Sequence, residues 1–91
     1  MGADMQKLES VTTHDLNNGD LVYAHGTIFR LKDGRDCEPR YGETLNDWQG
    51  CTRVFETEVV QVEDPRGMPA SWRAGWTIQG NKLAKWGRVV H

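Results

Sequence analysis

The sequence lacks the apolar runs that mark membrane and secreted proteins. No stretch approaches the roughly 20 apolar residues of a membrane-spanning helix, and no apolar signal core follows Met1. Gly2 is present, but Gln6 stands where a myristoylation signal has Ser or Thr. We therefore expect a soluble cytoplasmic protein without a membrane partner, in which residues 1–6 form a disordered N-terminus.

Cysteine and histidine are few, and their spacing matches no known site. Cys37 and Cys51 have 13 residues between them, and neither Cys-x-x-Cys nor His-x-x-x-His occurs. With His14 and His25 they could supply four zinc ligands, or a cysteine nucleophile with a histidine base. Nothing in the sequence brings these groups together, so we expect no metal and no cofactor. Cys51 is expected to pack as a small apolar side chain.

Motifs for common enzyme chemistries are also missing. The sequence has no GxxxxGK[ST] or GxGxxG loop for phosphate and no calcium-loop pattern. Glu56 and Glu58 would lie about 7 Å apart along one strand face, but a 91-residue chain has little room for a sugar-sized groove. We expect no catalytic residues and a non-enzymatic protein.

Acidic residues are absent from the last 27 positions. All 13 acidic residues lie at or before Asp64, and residues 1–64 hold six basic residues, for a net charge of −7. Residues 65–91 carry five basic residues and a net charge of +5, and the two values sum to the −2 of the chain. Such asymmetry can mark a basic contact surface. Alternatively, strands from the two segments pair and neutralise each other across the sheet.

A chain of 91 residues predicts one domain with a modest core, which we place over residues 7–91. With only two Phe and four Trp, we expect at least two Trp to help fill that core. Composition alone favours neither an acidic nor a basic partner.

The stretch 15–32, DLNNGDLVYAHGTIFRLK, predicts a turn followed by a β-ribbon around which the chain is organised. Phe29 and Leu31 would share one strand face, since side chains alternate along a strand. His25-Gly26 is expected to be a tight turn or a bulge, and Asp33-Gly34 to be the turn that ends the ribbon. A short first strand is expected within residues 7–13.

Residues 35–50 predict a long loop, a class that tends to be functional or mobile. Tyr41, Leu45 and Trp48 would anchor this loop, and a short helix within 43–48 stays open.

Residues 51–62, CTRVFETEVVQV, predict the clearest strand. Phe55 and Val59 would face the core, and the two glutamates would face water. Val54, Val60 and Val62 fall on the wrong face, which a bulge near Val59-Val60 would resolve.

The C-terminal part predicts a helical turn over 69–73 and then a hairpin. Trp76 begins its first strand, shares a face with Ile78 and is therefore the first core candidate among the tryptophans. Gly80-Asn81 would form the two-residue turn, with residues 82–90 as the partner strand and Ile78 facing Leu83.

Leu16, Gly19-Asp20, Val22, Gly26 and Phe29 together resemble the first ribbon of SH3-like and KOW-like barrels. In its early Gly-Asp ribbon and late Trp-rich segment, the chain also resembles short phage and prophage proteins. The strand and turn pattern predicts a mainly β fold, namely a small antiparallel SH3-like barrel or a strongly bent sheet of five to six strands with one short helical turn. The phage resemblance implies a protein that inhibits or redirects a bacterial host complex, such as a defence nuclease or the transcription machinery.

Aromatic and basic side chains alternate near the C-terminus, as they do in surfaces that bind single-stranded nucleic acid or protein partners. The candidate binding residues are Trp72, Arg73, Lys82, Lys85, Trp86 and Arg88, with Tyr41 and Trp48 as a second surface. We expect a protein partner, because the acidic segment would repel phosphates. The alternatives are a nucleic-acid-binding module that uses the C-terminal hairpin, and a structural or assembly protein that forms a homo-oligomer through its sheet edges.

Overall fold

The computed structural model describes residues 7–37 and 52–90. The predictions for residues 1–6, for most of the long loop including Tyr41 and Trp48, and for Cys51 lie outside the described residues. Residues 35 and 36, which we predicted to begin that loop, belong instead to a strand.

The described residues form six strands and two single turns of helix. The strands are β1 (Lys7–Thr12), β2 (Leu21–Ala24), β3 (Thr27–Asp36), β4 (Arg53–Val62), β5 (Thr77–Gly80) and β6 (Lys85–Val90). A 3-10 turn at Thr13–Asp15 follows β1, and α1 spans Ala70–Arg73 after its N-cap Pro69. The predicted mainly β class, the first strand and the short helical turn are confirmed.

The six strands form one antiparallel sheet in the order β1-β6-β2-β3-β4-β5. In a flat sheet, strands spaced about 4.8 Å apart would separate β1 from β5 by roughly 24 Å. Val11 of β1 and Ile78 of β5 nevertheless belong to the same core cluster. In addition, a Cβ at Gly80 of β5 would lie 2.9 Å from the hydroxyl oxygen of Thr13, which directly follows β1. The sheet is therefore strongly bent, in the manner of a small barrel.

Two apolar clusters fill the concave side of this sheet. The larger consists of Val11, Leu16, Val22, Leu31, Phe55 and Ile78, and the smaller of Ala24, Phe29 and Met68. Trp76 packs against both clusters, and Trp86 packs against the larger one. Two tryptophans thus complete the core from its rim, as the shortage of phenylalanine predicts.

The first ribbon folds as its sequence predicts. Phe29 and Leu31 are buried on one face of β3. Ala24 pairs with Thr27, and the two residues between them have positive φ, +48° at His25 and +81° at Gly26. Two positive φ angles in a two-residue loop match the right-handed twist of a hairpin, so the tight-turn alternative is confirmed.

The predicted turn at Asp33-Gly34 is wrong, because β3 continues to Asp36. The pairing with β4 shifts register between Lys32 and Arg35, and Asp33 takes a φ of +53° within that irregularity. A Cβ at Gly34 would clash with the ring of Phe55. The glycine therefore makes room for a core side chain and does not reverse the chain.

Strand β4 contains the predicted bulge, but only its first half has the predicted core face. Ile28 pairs with Gln61 and Phe29 pairs with Val59, which leaves Val60 as the extra residue. Phe55 is buried as predicted, but the prediction for Val59 is wrong, since it is 43% exposed. The reason is that β5 pairs only with Arg53–Glu56, so the second half of β4 has a strand neighbour on one side.

The predicted C-terminal hairpin is wrong. Ile78 pairs with Phe55 of β4, not with Leu83, and β6 pairs with β1 and β2. The Gly80 carbonyl accepts the N–H of Thr52, which ties the end of β5 to β4. The side-chain oxygen of Asn81 accepts the N–H of Leu83 at 2.8 Å. This local turn directs the chain from β5 towards β6, which lies between β1 and β2 in the sheet.

The carboxylate of Asp15 closes the 3-10 turn. It accepts the backbone N–H of Thr12 at 3.1 Å and the hydroxyl of Thr12 at 3.0 Å. The backbone hydrogen bond from Thr12, followed by the hydroxyl bond, holds the pKa of Asp15 below its ordinary value of 3.8. Burial opposes this shift, and the charges of Arg88 and Lys85 lower the pKa by smaller amounts.

We expect Asp15→Asn to lower the free energy of unfolding at neutral pH. A carboxyl whose pKa is lowered in the folded state stabilises that state above its unfolded pKa. The contribution disappears as the pH falls through the lowered folded value. Urea unfolding of both proteins should therefore show a difference at pH 7 that shrinks as the pH falls below the ordinary carboxyl pKa of 3.8. A difference of constant size across this range would contradict the assigned role.

Candidate aromatic docking site

Three of the four tryptophans meet at one open pocket of about 430 Å³. The pocket lies where α1, β5 and the start of β6 come together. Its lining residues are Ser71, Trp72, Ala74, Gly75, Trp76, Thr77, Gln79 and Trp86. None of these residues is charged, so the pocket presents aromatic rings with a few hydroxyl and amide groups.

The aromatic rings form a stack that runs from the core to the surface. The centroid of Trp76 lies 6.4 Å from that of Phe29 and 6.5 Å from that of Trp72, with interplanar angles of 14° and 15°. His25 meets Trp76 edge-on at 5.9 Å. Phe29 is fully buried, whereas Trp72 is 59% exposed. The outermost ring is therefore presented to solvent on a rigid base.

Trp86 closes the pocket on the side of β6. Its indole N–H donates to the hydroxyl of Thr13 at 2.8 Å. Thr13 is buried in the 3-10 turn after β1, and Trp86 itself pairs with Val11 of β1. The ring is thus fixed by a hydrogen bond and by a strand ladder.

Arg73 holds the segment before α1 in place. Its Nη2 donates to the carbonyls of Pro65 at 3.0 Å and Met68 at 3.1 Å. Met68 is buried in the smaller core cluster. Arg73 therefore positions the helical turn that carries Trp72, and much of its hydrogen-bonding capacity is already used.

Arg88, another predicted binding residue, is engaged at the rim of the sheet. Its guanidinium donates to Glu9 at 2.6 Å and lies 3.3 Å from the carboxylate of Asp20. It also donates to the carbonyl of Asp15 at 3.1 Å. The hydrogen bond to Glu9, followed by that to Asp20, raises the pKa of Arg88 against the opposing effect of burial. At Arg88, the acidic segment 1–64 and the basic segment 65–91 therefore neutralise each other across the sheet.

Lys82 and Lys85 are exposed, and neither pairs with a carboxylate within residues 7–37 and 52–90. They belong to the connection after β5 and to the first position of β6. Of the four predicted cationic binding residues, these two keep their ammonium groups in water.

The structure thus brings together only part of the predicted surface. Trp72 and Trp86 share the pocket, and Trp76, assigned by sequence to the core, both supports the core and lines the pocket. Sequence reasoning missed Thr77 and Gln79, whose alternation on β5 was the available signal. Tyr41 and Trp48 lie outside the described residues.

Among residues 7–37 and 52–90, the other polar groups form no second site. His14 Nε2 lies 2.6 Å from the hydroxyl of Thr52, which is buried beneath it. In the part of the chain that the structure describes, no three metal-ligating side chains cluster. Over the same residues, no helix is long and apolar enough to cross a membrane.

Comparison with known proteins yields no match to a family model, a curated protein or a solved structure.

Proposed function

We propose that this protein is a non-enzymatic docking module that binds a segment of a protein partner in the tryptophan pocket. The observation that carries the proposal is the placement of Trp72. This ring is 59% exposed, yet it is stacked on Trp76 and, through it, on the buried Phe29. A large aromatic ring held rigidly in solvent loses little conformational freedom on binding and is a frequent energetic anchor of protein interfaces.

The chemistry of the pocket supports an apolar or aromatic anchor on the partner. Three indole rings surround an uncharged space of about 430 Å³, which is large enough for one or two side chains. Thr77 and Gln79 add hydroxyl and amide groups that can orient a peptide.

The electrostatics favour a protein over a nucleic acid. Affinity for nucleic acid rests on cations that neutralise phosphates. Arg88 is paired with Glu9 and Asp20, and Arg73 is bound to backbone carbonyls. Lys82 and Lys85 are left, which is a small set against the 13 acidic residues of the chain.

A docking surface of this kind suits a cytoplasmic inhibitor or modulator of a host complex. The resemblance of the sequence to short phage proteins supports a bacterial defence nuclease or the transcription machinery as the class of target.

Nucleic-acid binding is the second candidate, favoured by the exposed face of Trp72, on which a base could stack. It predicts binding to single-stranded oligonucleotides that weakens steeply with salt and is lost in the Lys82→Glu/Lys85→Glu double variant. Oligonucleotide binding that ignores both salt and these substitutions would exclude the two lysines as its basis.

The proposed function can be tested by selecting peptides from a random library on the immobilised protein and measuring affinity for an enriched peptide. We expect Trp72→Ala to weaken binding by about 30-fold or more, the value for a loss of 2 kcal/mol at an interface anchor. Because the ring is mostly exposed, the free energy of unfolding should change by less than about 1 kcal/mol.

Leu83→Ala is the matched control, since Leu83 is 53% exposed but does not line the pocket. Its affinity for the peptide should equal that of the unmodified protein. A peptide that binds Trp72→Ala and the unmodified protein equally would contradict the assignment of the site.

A further inference from the structure

The second half of β4 is an open sheet edge. Residues 57–62 pair with β3, while β5 reaches only as far as Glu56 along the other side of β4. Within residues 7–37 and 52–90, no backbone group of residues 58–62 bonds to another segment besides β3. Such an edge presents a row of N–H and C=O groups that another strand can use.

This edge is also apolar. Val59, Val60 and Val62 are 43%, 42% and 38% exposed. Valine has a high β propensity because its branched side chain packs well on a pleated surface. The edge has no Lys or Pro to discourage pairing, and the charge of Glu58 is balanced by Arg30 at 3.1 Å. The opposite edge, β1, carries Lys7 and Glu9.

We propose that this edge pairs antiparallel with the same edge of a second copy of the chain, independently of the tryptophan pocket. Val59 pairs with Phe29, and Val62 pairs with Thr27. Directly opposed residues of neighbouring strands share a sheet face. Phe29 belongs to the smaller core cluster, and Thr27 pairs with Ala24 of that cluster. The bulge at Val60 therefore places Val59 and Val62 on the same, concave face.

The register follows from symmetry. A two-fold axis perpendicular to the sheet keeps each face with itself, so concave-face residues must meet concave-face residues. Val59 opposite Val62 of the second copy satisfies this condition twice. Val60 then meets Gln61, also twice, and the axis passes between them. The valines of one copy thus cover those of the other.

The same register also brings an unfavourable pair together twice, and this makes the register testable. The residue opposite Glu58 is Glu63, and directly opposed like charges destabilise a sheet. Two edges of this length also bury less than a standard interface of about 1,200–2,000 Å². The dimer is therefore expected to be weak, with a dissociation constant in the micromolar range.

Sedimentation velocity from about 1 to about 100 μM tests the dimer. We expect the unmodified protein to pass from monomer to dimer over this range, Val62→Lys to weaken the dimer by at least ten-fold, and Glu63→Gln to strengthen it. Leu8→Lys is the matched control, because Leu8 is 47% exposed on the opposite edge, and it should leave the dimer unchanged. A monomer at all concentrations, or dissociation by Leu8→Lys alone, would overturn the proposal.

A charge-swap experiment tests the register itself. Val59→Lys and Val62→Asp should each be mostly monomeric, and their mixture should form a heterodimer with one Lys–Asp pair and one intact valine pair. Circular dichroism and thermal melting establish that each variant folds. If one does not, the effect of Glu63→Gln in the otherwise unmodified chain still decides the register. Failure of the mixture to associate, or a weaker dimer in Glu63→Gln, would overturn it.

Discussion

Phe29→Ala is expected to lower the free energy of unfolding by about 3–5 kcal/mol, the usual cost of emptying a phenylalanine site in a core. Phe29 is fully buried and belongs to the smaller cluster with Ala24 and Met68. It is also the base of the stack that continues through Trp76 to Trp72. The substitution should therefore also loosen the docking site, which a red shift and broadening of tryptophan fluorescence would report.

Phe55→Ala separates these two effects. Phe55 is equally buried, but it lies in the larger cluster and stacks on none of the tryptophans that the structure describes. We expect a similar loss of stability in urea unfolding, with affinity for a pocket-binding peptide retained at temperatures where the variant is folded. If Phe29→Ala kept the same affinity under those conditions, the stack would not be what holds Trp72 in its binding position.

Gly67→Ala is expected to destabilise the fold by about 3 kcal/mol or more, at the upper end of the cost of overpacking. A Cβ at this position would meet the carbonyl of His25, a backbone atom that cannot rotate away. The close approach packs the connection after β4 against the β2–β3 turn, beside the bonds from Glu63 and Asp64 to the Gly26 carbonyl. The connection could no longer place Met68 in the core.

Gly19→Ala is the comparison that isolates this steric effect. Gly19 has a φ of +93°, but no atom lies within 4 Å of the position its Cβ would take. The cost there should be only the roughly 1–2 kcal/mol of a left-handed alanine. Thermal unfolding should thus rank the variants with Gly67→Ala well below Gly19→Ala, and the reverse order would contradict the packing described here.

The first ribbon could be predicted from sequence because its signals are local. Turn residues, alternation and the buried pair Phe29 and Leu31 act within a few positions of each other. The bulge at Val60 was predictable for the same reason, since valines on both faces of one strand require a shift in register.

The predictions were wrong where contacts with distant segments determine the turns and the strand pairing. Gly80-Asn81 has the composition of a hairpin turn, but β4 competes for β5, and β1 and β2 compete for β6. Asp33-Gly34 likewise has a turn composition, yet Phe55, 21 positions after Gly34 in the sequence, needs the space that the glycine leaves. Val59 was assigned to the core because sequence alone does not show how far β5 extends along β4.

The residue types of the candidate site could be predicted from the sequence, but their arrangement in space could not. Alternating Trp and basic residues near the C-terminus drew attention to Trp72 and Trp86, which the structure places at one pocket. A flat hairpin would have placed Arg88 on the same surface, whereas the bent sheet joins it to Glu9 and Asp20. This change in the surroundings of one arginine is one of the arguments for our proposal of a protein partner over a nucleic acid.

The role of the tryptophan pocket is tested most directly by nuclear magnetic resonance of the ¹⁵N-labelled protein during titration with a peptide enriched in the selection. If the pocket is the docking site, the indole N–H signals of Trp72, Trp76 and Trp86 shift together and saturate at one stoichiometry. The backbone amide signals of β1 residues that do not contact Trp86 should not shift. Shifts confined to residues outside the pocket, with the three indole signals unchanged, would contradict the proposed function.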